Sequence, residues 1–188
     1  AKCILFDYSY KYFYEDGFGK DYNILNLADD SDANRKKLYL TACLLTFYQQ
    51  LRIYKDKFKE IQPFNIEKPL MVFVGAYVSA GSNDTQEKRN MRSDVADVLE
   101  FFANFIRNKQ DSMSMISRLL SGKPGLLDDK GREIFAKTFS YLTTLKTSGL
   151  TEEAIYEDVL KLVFNCTLPG AKLRIENLKG ANGELGLR

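Results

Sequence analysis

Histidine is absent from this chain, and so is tryptophan. Without an imidazole, neither a Ser–His nor a Cys–His nucleophile pair can be assembled, and no His-ligated metal site can form within the chain. Cysteine is scarce. Cys3, Cys43 and Cys166 lie far apart and make no CxxC pair, which excludes a zinc ribbon and a thioredoxin-type motif. Their odd number and wide spacing fit reduced thiols in a cytosolic protein, each serving as a small buried apolar residue. No apolar run is long enough to span a bilayer. The first residues, AKCILFDYSY, have neither the basic region nor the apolar stretch of a secretory signal. They also lack an initiator Met, and the last residues, GANGELGLR, are punctuated by glycine, so both ends read as cut from something longer. The net charge is only +2, too small to give a long-range field for nucleic acid.

What is present is apolar and aromatic. Hydrophobic residues make up 45% of the 188, enough for a substantial core and against global disorder. Near the start, CILF and NILNL alternate as short strands do, and Glu15–Gly19 reads as a turn. The clearest helix signal covers 34–60. Leu40, Leu44, Phe47, Leu51, Tyr54 and Phe58 fall on one stripe, with Ser31, Asp32 or Asn34 as N-cap and an end before Pro63. LMVFVG (70–75) is a continuous apolar run of the kind found in buried parallel strands. A polar loop over 79–92 follows. A helix then starts at Ser93 or Asp94, with Val95, Val98, Leu99, Phe102, Phe105 and Ile106 on its apolar face. Helices are predicted over 112–121, 132–146 and 151–165, the last capped by Thr151 with Glu152 and Glu153 in its first turn. KLRIENL (172–178) alternates as a strand. This order predicts an α/β fold: a parallel sheet in which a helical insertion separates two strands.

Chemical motifs are sparse. GFGK (17–20) and GKPG (122–125) do not fit GxxxxGK[ST], and Pro124 removes a donor that a phosphate cradle needs, so both are turns. Asp29–Asp30–Asp32, Asp128–Asp129 and Glu152–Glu153 lack the spacing of a calcium loop and read as solvated loops and helix starts. Tyr8, Tyr10, Lys11, Tyr12, Phe13, Tyr14 and Lys20 could stack bases and meet phosphates. The simpler reading makes them aromatic strand residues covering a core edge. An apolar strand ending in Gly75, a Ser-containing loop and a helix put polar groups at the carboxyl edge of a parallel sheet, where open α/β folds bind ligands. An ordinary crossover has the same pattern.

Several stretches together resemble a known family. ILFDYSYKYFYEDGFGKDYNILNL, the long helix, KPLMVFVGAYV, SDVADVLEFFANFI and LRIENLKGANGELGLR are similar to the middle of bacterial DEAD/DEAH-box helicases of superfamily 2 that are related to the Res subunit of type III restriction enzymes. The resemblance implies a connecting segment over 1–67, with short strands and a long helix. It implies a partial second RecA-like motor domain over 68–188, with the helical insertion at about 111–165. Lys68–Gly75 would open that domain, and Gly75, Tyr77 and Ser79 would lie near the DNA track, touching the backbone without reading sequence. ATP and magnesium would belong to the parent protein. This chain has no Walker A motif, no DEAD/DEAH box, no SAT-type motif and no arginine-finger motif, so no cofactor is expected in it and it should be inert as an ATPase.

The chain is thus expected to be a cytoplasmic internal fragment of an ATP-dependent DNA helicase or translocase of a restriction or defence system. Weak, sequence-independent DNA binding would belong to the parent, and no membrane would be involved. The alternative is a non-enzymatic helical protein-interaction domain, with a modification subunit as a possible partner. Salt-sensitive DNA binding separates the two. An independent small-molecule enzyme is disfavoured by the missing histidine and the lack of a clustered acid/base pair.

Overall fold

The computed structural model describes residues 6, 8–19, 24–28, 32–74, 94–166, 172–177 and 185–187. Its spine is a long helix, α2, over Ala33–Asp56. The Asp32 carboxylate starts it by accepting from the backbone N–H groups of Asn34 (2.7 Å) and Arg35 (3.3 Å). A shorter helix, α1 (Tyr10–Glu15), precedes it. Helix α3 (Phe58–Ile61) and a 3-10 turn (Gln62–Phe64) follow, closed by Asn65 in the left-handed conformation. Then come α4 (Asp94–Arg107), α5 (Lys109–Leu120), α6 (Ser140–Thr147) and α7 (Glu152–Phe164). Two three-residue strands, β1 (Ile175–Asn177) and β2 (Leu185–Leu187), pair antiparallel, with Ile175 opposite Leu187.

Helix α2 lies against α5, α6 and α7, and α5 also packs on α4 and α7. The core between them holds Leu38, Leu45 and Tyr48 of α2, Phe105 of α4, Ile116 and Leu119 of α5, Leu142 of α6, and Ile155 and Val159 of α7. Two polar side chains bind the α4–α5 junction from inside. The Ser112 hydroxyl donates to the Phe105 carbonyl (2.9 Å), and the Tyr156 hydroxyl donates to the Ile106 carbonyl (2.7 Å). Burying hydroxyls this way satisfies carbonyls that the break between α4 and α5 leaves without a helical partner.

The expected parallel RecA-like sheet is not formed. The described residues fold mainly as helices, and the strands among them make a single two-stranded antiparallel sheet. Leu70–Val74, predicted to be a buried inner strand, is neither helix nor strand. Leu70 is 82% exposed, Val72 70% and Val74 92%. An inner parallel strand needs layers on both faces. Here the helices bury one another's apolar stripes, and no described strand lies beside 70–74.

Other expectations meet mixed results. Helices appear where 34–60, the stretch from Ser93 or Asp94, 112–121 and 151–165 predict them, with Thr151 capping α7 by accepting from Ala154 N–H (3.2 Å). On α2, Leu44 and Leu51 of the predicted stripe are buried, but the other buried positions are Leu38, Thr41, Ala42, Leu45, Tyr48 and Gln49, while Leu40, Phe47, Tyr54 and Phe58 are not buried. The helix predicted over 132–146 is instead Ser140–Thr147. Ile24–Leu27 of NILNL forms no strand, and CILF lies outside the described residues except for Phe6. Of 172–178, Ile175–Asn177 is a strand.

Candidate functional site

Gly75, Tyr77 and Ser79, the residues expected near a DNA track, lie outside the described residues. Their immediate neighbours are described and form the most distinctive surface of the molecule. Phe73, itself 45% exposed, meets the Phe102 ring of α4 edge-on, with centroids 5.8 Å apart at 73°. Phe102 in turn meets Phe164 of α7 at 5.3 Å. Met71 is half-buried, while Leu70, Val72 and Val74 are exposed. Beside them is a groove of about 200 Å³ lined by Phe73, Val74, Val95, Val98, Leu99, Phe102 and Leu187.

Helix α4 explains the groove. Its apolar stripe runs its whole length, but only the C-terminal half is sealed in the core, where Phe101, Phe102, Phe105 and Ile106 are buried. Towards the N-terminus Val98 and Leu99 are half-buried and Val95 is 50% exposed. No titratable side chain lines the groove. Its chemistry is therefore recognition of apolar surface, with no acid, base or nucleophile at hand.

Polar clusters elsewhere are closed on themselves. Arg52 donates from Nη1 to Asp158 Oδ2 (2.8 Å) and from Nε to Asp56 Oδ2 (2.7 Å). The Tyr48 hydroxyl donates to Asp158 Oδ2 (2.8 Å) and the Tyr141 hydroxyl to Asp56 Oδ2 (2.9 Å). Burial, and then the bond to Asp158, push the Tyr48 hydroxyl far above the ordinary tyrosine range. Burial works against the Asp56 carboxylate, but the bonds from Arg52 and Tyr141 outweigh it and its pKa is lowered. A carboxylate so held is a weaker base than an ordinary aspartate, and the cluster is a clasp between α2, α6 and α7. A second hollow, of about 260 Å³, lies between the start of α2 and α4. Its lysines are spoken for: Lys36 pairs with Asp97 (3.2 Å) and Lys37 with Asp111.

The aromatic stretch is not a strand covering a core edge. It is helix α1, which buries no residue and leaves Tyr10, Tyr12, Phe13 and Tyr14 exposed. Its rings lean on one another, and the Tyr8 hydroxyl donates to Asp16 (2.6 Å). Among the described residues no group of three or more Cys, Asp and Glu side chains converges to hold a metal ion, and no helix is long and apolar enough to cross a membrane.

Sequence reasoning missed the groove by treating the apolar face of α4 as wholly internal. The sequence carries no signal for it, because all five residues of 70–74 are apolar and nothing in the pattern separates an inner from an outer face. No protein-family model matches the chain, and neither a curated protein nor a solved structure matches it.

Proposed function

We propose that this chain is a non-enzymatic helical protein-interaction domain that docks through the surface formed by Leu70–Val74, the N-terminal half of α4 and β2. The observation that carries this reading is the outward placement of Leu70, Val72 and Val74 beside an apolar groove on a bundle whose core is already filled. Exposed apolar side chains gathered beside a groove mark an interaction site on many proteins. The resemblance to Res-type helicases, and with it ATP, magnesium and DNA as ligands of a parent protein, rests on the quoted stretches. The inner parallel strand that would have linked it to this site is not formed.

Stability measurements test the proposal without knowledge of the partner. Val72→Asp and Val74→Asp change a docking surface but not a core. Each is expected to shift urea unfolding by no more than about 0.5 kcal/mol, as surface changes do. Destabilisation of 2 kcal/mol or more, of the order seen for core truncation, would mean that these side chains are interior and would end the interaction reading.

A further inference from the structure

We propose that a hollow between the end of α5 and the start of α6 binds a small amphipathic anion, a medium-chain aliphatic carboxylate. The hollow measures about 630 Å³, larger than either of the two described above and within the span of small-molecule sites, roughly 300–1,000 Å³. It shares no lining residue with the groove beside Phe73, so it stands apart from the docking surface.

The apolar side of the hollow is built by Leu119 and Leu120 of α5 together with Phe135 and Phe139. The two phenyl rings stack, with centroids 5.9 Å apart and planes 8° from parallel. All four side chains are rooted in the core, so this wall is set before any ligand arrives. A wall held in advance spares the ordering cost that a loose one would add to binding.

The polar side carries one sign. Lys137 is the sole titratable residue of the lining, and no carboxylate lines the hollow with it. Its side chain is exposed, and among the described residues it makes no ion pair or hydrogen bond. The lysines of the hollow between α2 and α4 differ, since aspartates neutralise both. The Ser140 hydroxyl, on the first residue of α6, also has no partner among the described residues. The other two hydroxyls of the lining are already donating: Thr143 to the Phe139 carbonyl (2.9 Å) and Ser121 to the Arg118 carbonyl (2.7 Å). The hollow therefore offers a ligand one ammonium and one hydroxyl beside a fixed apolar wall.

That inventory selects the ligand. A carboxylate head can take a charge-assisted bond from Lys137 and a second bond from Ser140. An aliphatic body needs no polar partner and covers leucine methyls and ring faces. A polyphosphate would meet a single cation, and a neutral apolar molecule would leave both donors unused.

The test is isothermal titration calorimetry of the full chain with decanoate, kept below its micellar concentration, with decan-1-ol and inorganic phosphate run in parallel. Decanoate is expected to bind saturably at one site, and both controls to bind at least tenfold more weakly. Lys137→Met keeps most of the stem and removes the charge. It is expected to weaken decanoate by about tenfold or more, the worth of a charge-assisted hydrogen bond, with unchanged far-UV circular dichroism. Lys130→Met, on the exposed loop before Phe135, is expected to change nothing. Absence of saturable binding at millimolar decanoate overturns the site. Equal binding of decan-1-ol or of phosphate overturns the ligand class. Decanoate binding that Lys137→Met leaves intact, or that Lys130→Met weakens as much, places the ligand elsewhere and overturns the assignment to this hollow.

Discussion

At the scale of single residues, three polar side chains hold more of the fold than their chemistry alone announces. Gln49 is buried on α2. Its amide donates to the Thr138 carbonyl (2.7 Å) while its carbonyl accepts from Leu142 N–H (3.2 Å). Replacing it with Ala strands both backbone groups, so Gln49→Ala is expected to cost about 2–4 kcal/mol in urea denaturation. Asp56 adds a pH dependence. Its folded pKa lies below the unfolded value, so the stability it contributes is complete above the ordinary aspartate pKa of about 3.9 and is lost as pH falls through the folded value. Acid titration followed by circular dichroism should show Asp56→Asn less stable at neutral pH and less sensitive to acid. Tyr48 works in the opposite range. Its raised pKa adds stability that is complete below about pH 10 and is lost as pH rises through the folded value, so Tyr48→Phe should flatten the alkaline limb of the same titration.

At the scale of elements, caps and acceptors decide where helices begin. Thr151 caps α7 with a single side-chain bond, and Thr151→Ala is expected to destabilise by about 1 kcal/mol in thermal or chemical unfolding. Most helices were legible because their buried residues repeat at helical spacing: Met115, Ile116, Leu119 and Leu120 of α5 are all interior, as their pattern predicts. The stretch before α6 was misread because side chains compete there for the backbone. The Glu133 carboxylate accepts from the N–H groups of Gly125 (2.8 Å) and Leu126 (3.1 Å). The Asp128 carboxylate accepts from those of Lys130 (2.9 Å) and Arg132 (2.8 Å). Those bonds and a bridge between Leu127 and Glu133 fold 125–133 into a tight loop, so helix begins only at Ser140 although Phe135 and Phe139 keep apolar spacing. The buried stripe of α2 was misjudged for a different reason: it runs through Thr41, Ala42 and Gln49, which a search for large apolar residues passes over. The sheet was misread because an apolar run states a preference for burial and does not name the layer that supplies it. Leu70–Val74 has that composition, and among the described residues no strand lies beside it to bury it.

At the scale of the whole molecule, one long helix ties three others together. Helix α2 meets α5, α6 and α7, and its Leu38, Leu45 and Tyr48 sit in the core they share. Calorimetric and van't Hoff enthalpies of unfolding are therefore expected to agree, and a mismatch would show that part of the bundle melts by itself. The same arrangement governs how the chain reaches its native state. The residues of α2 that bury against α5 and α7 lie far from them in sequence: Thr41 reaches the Met115 sulfur, and Tyr48 reaches Asp158. Closing such long loops is entropically costly before any contact rewards it. The neighbouring pair α4–α5 can zip locally, whereas the spine must wait for its distant partners. In pulsed hydrogen exchange during refolding, amides of α5 should gain protection before those of α2, and the capture of α2 should set the rate for the whole domain.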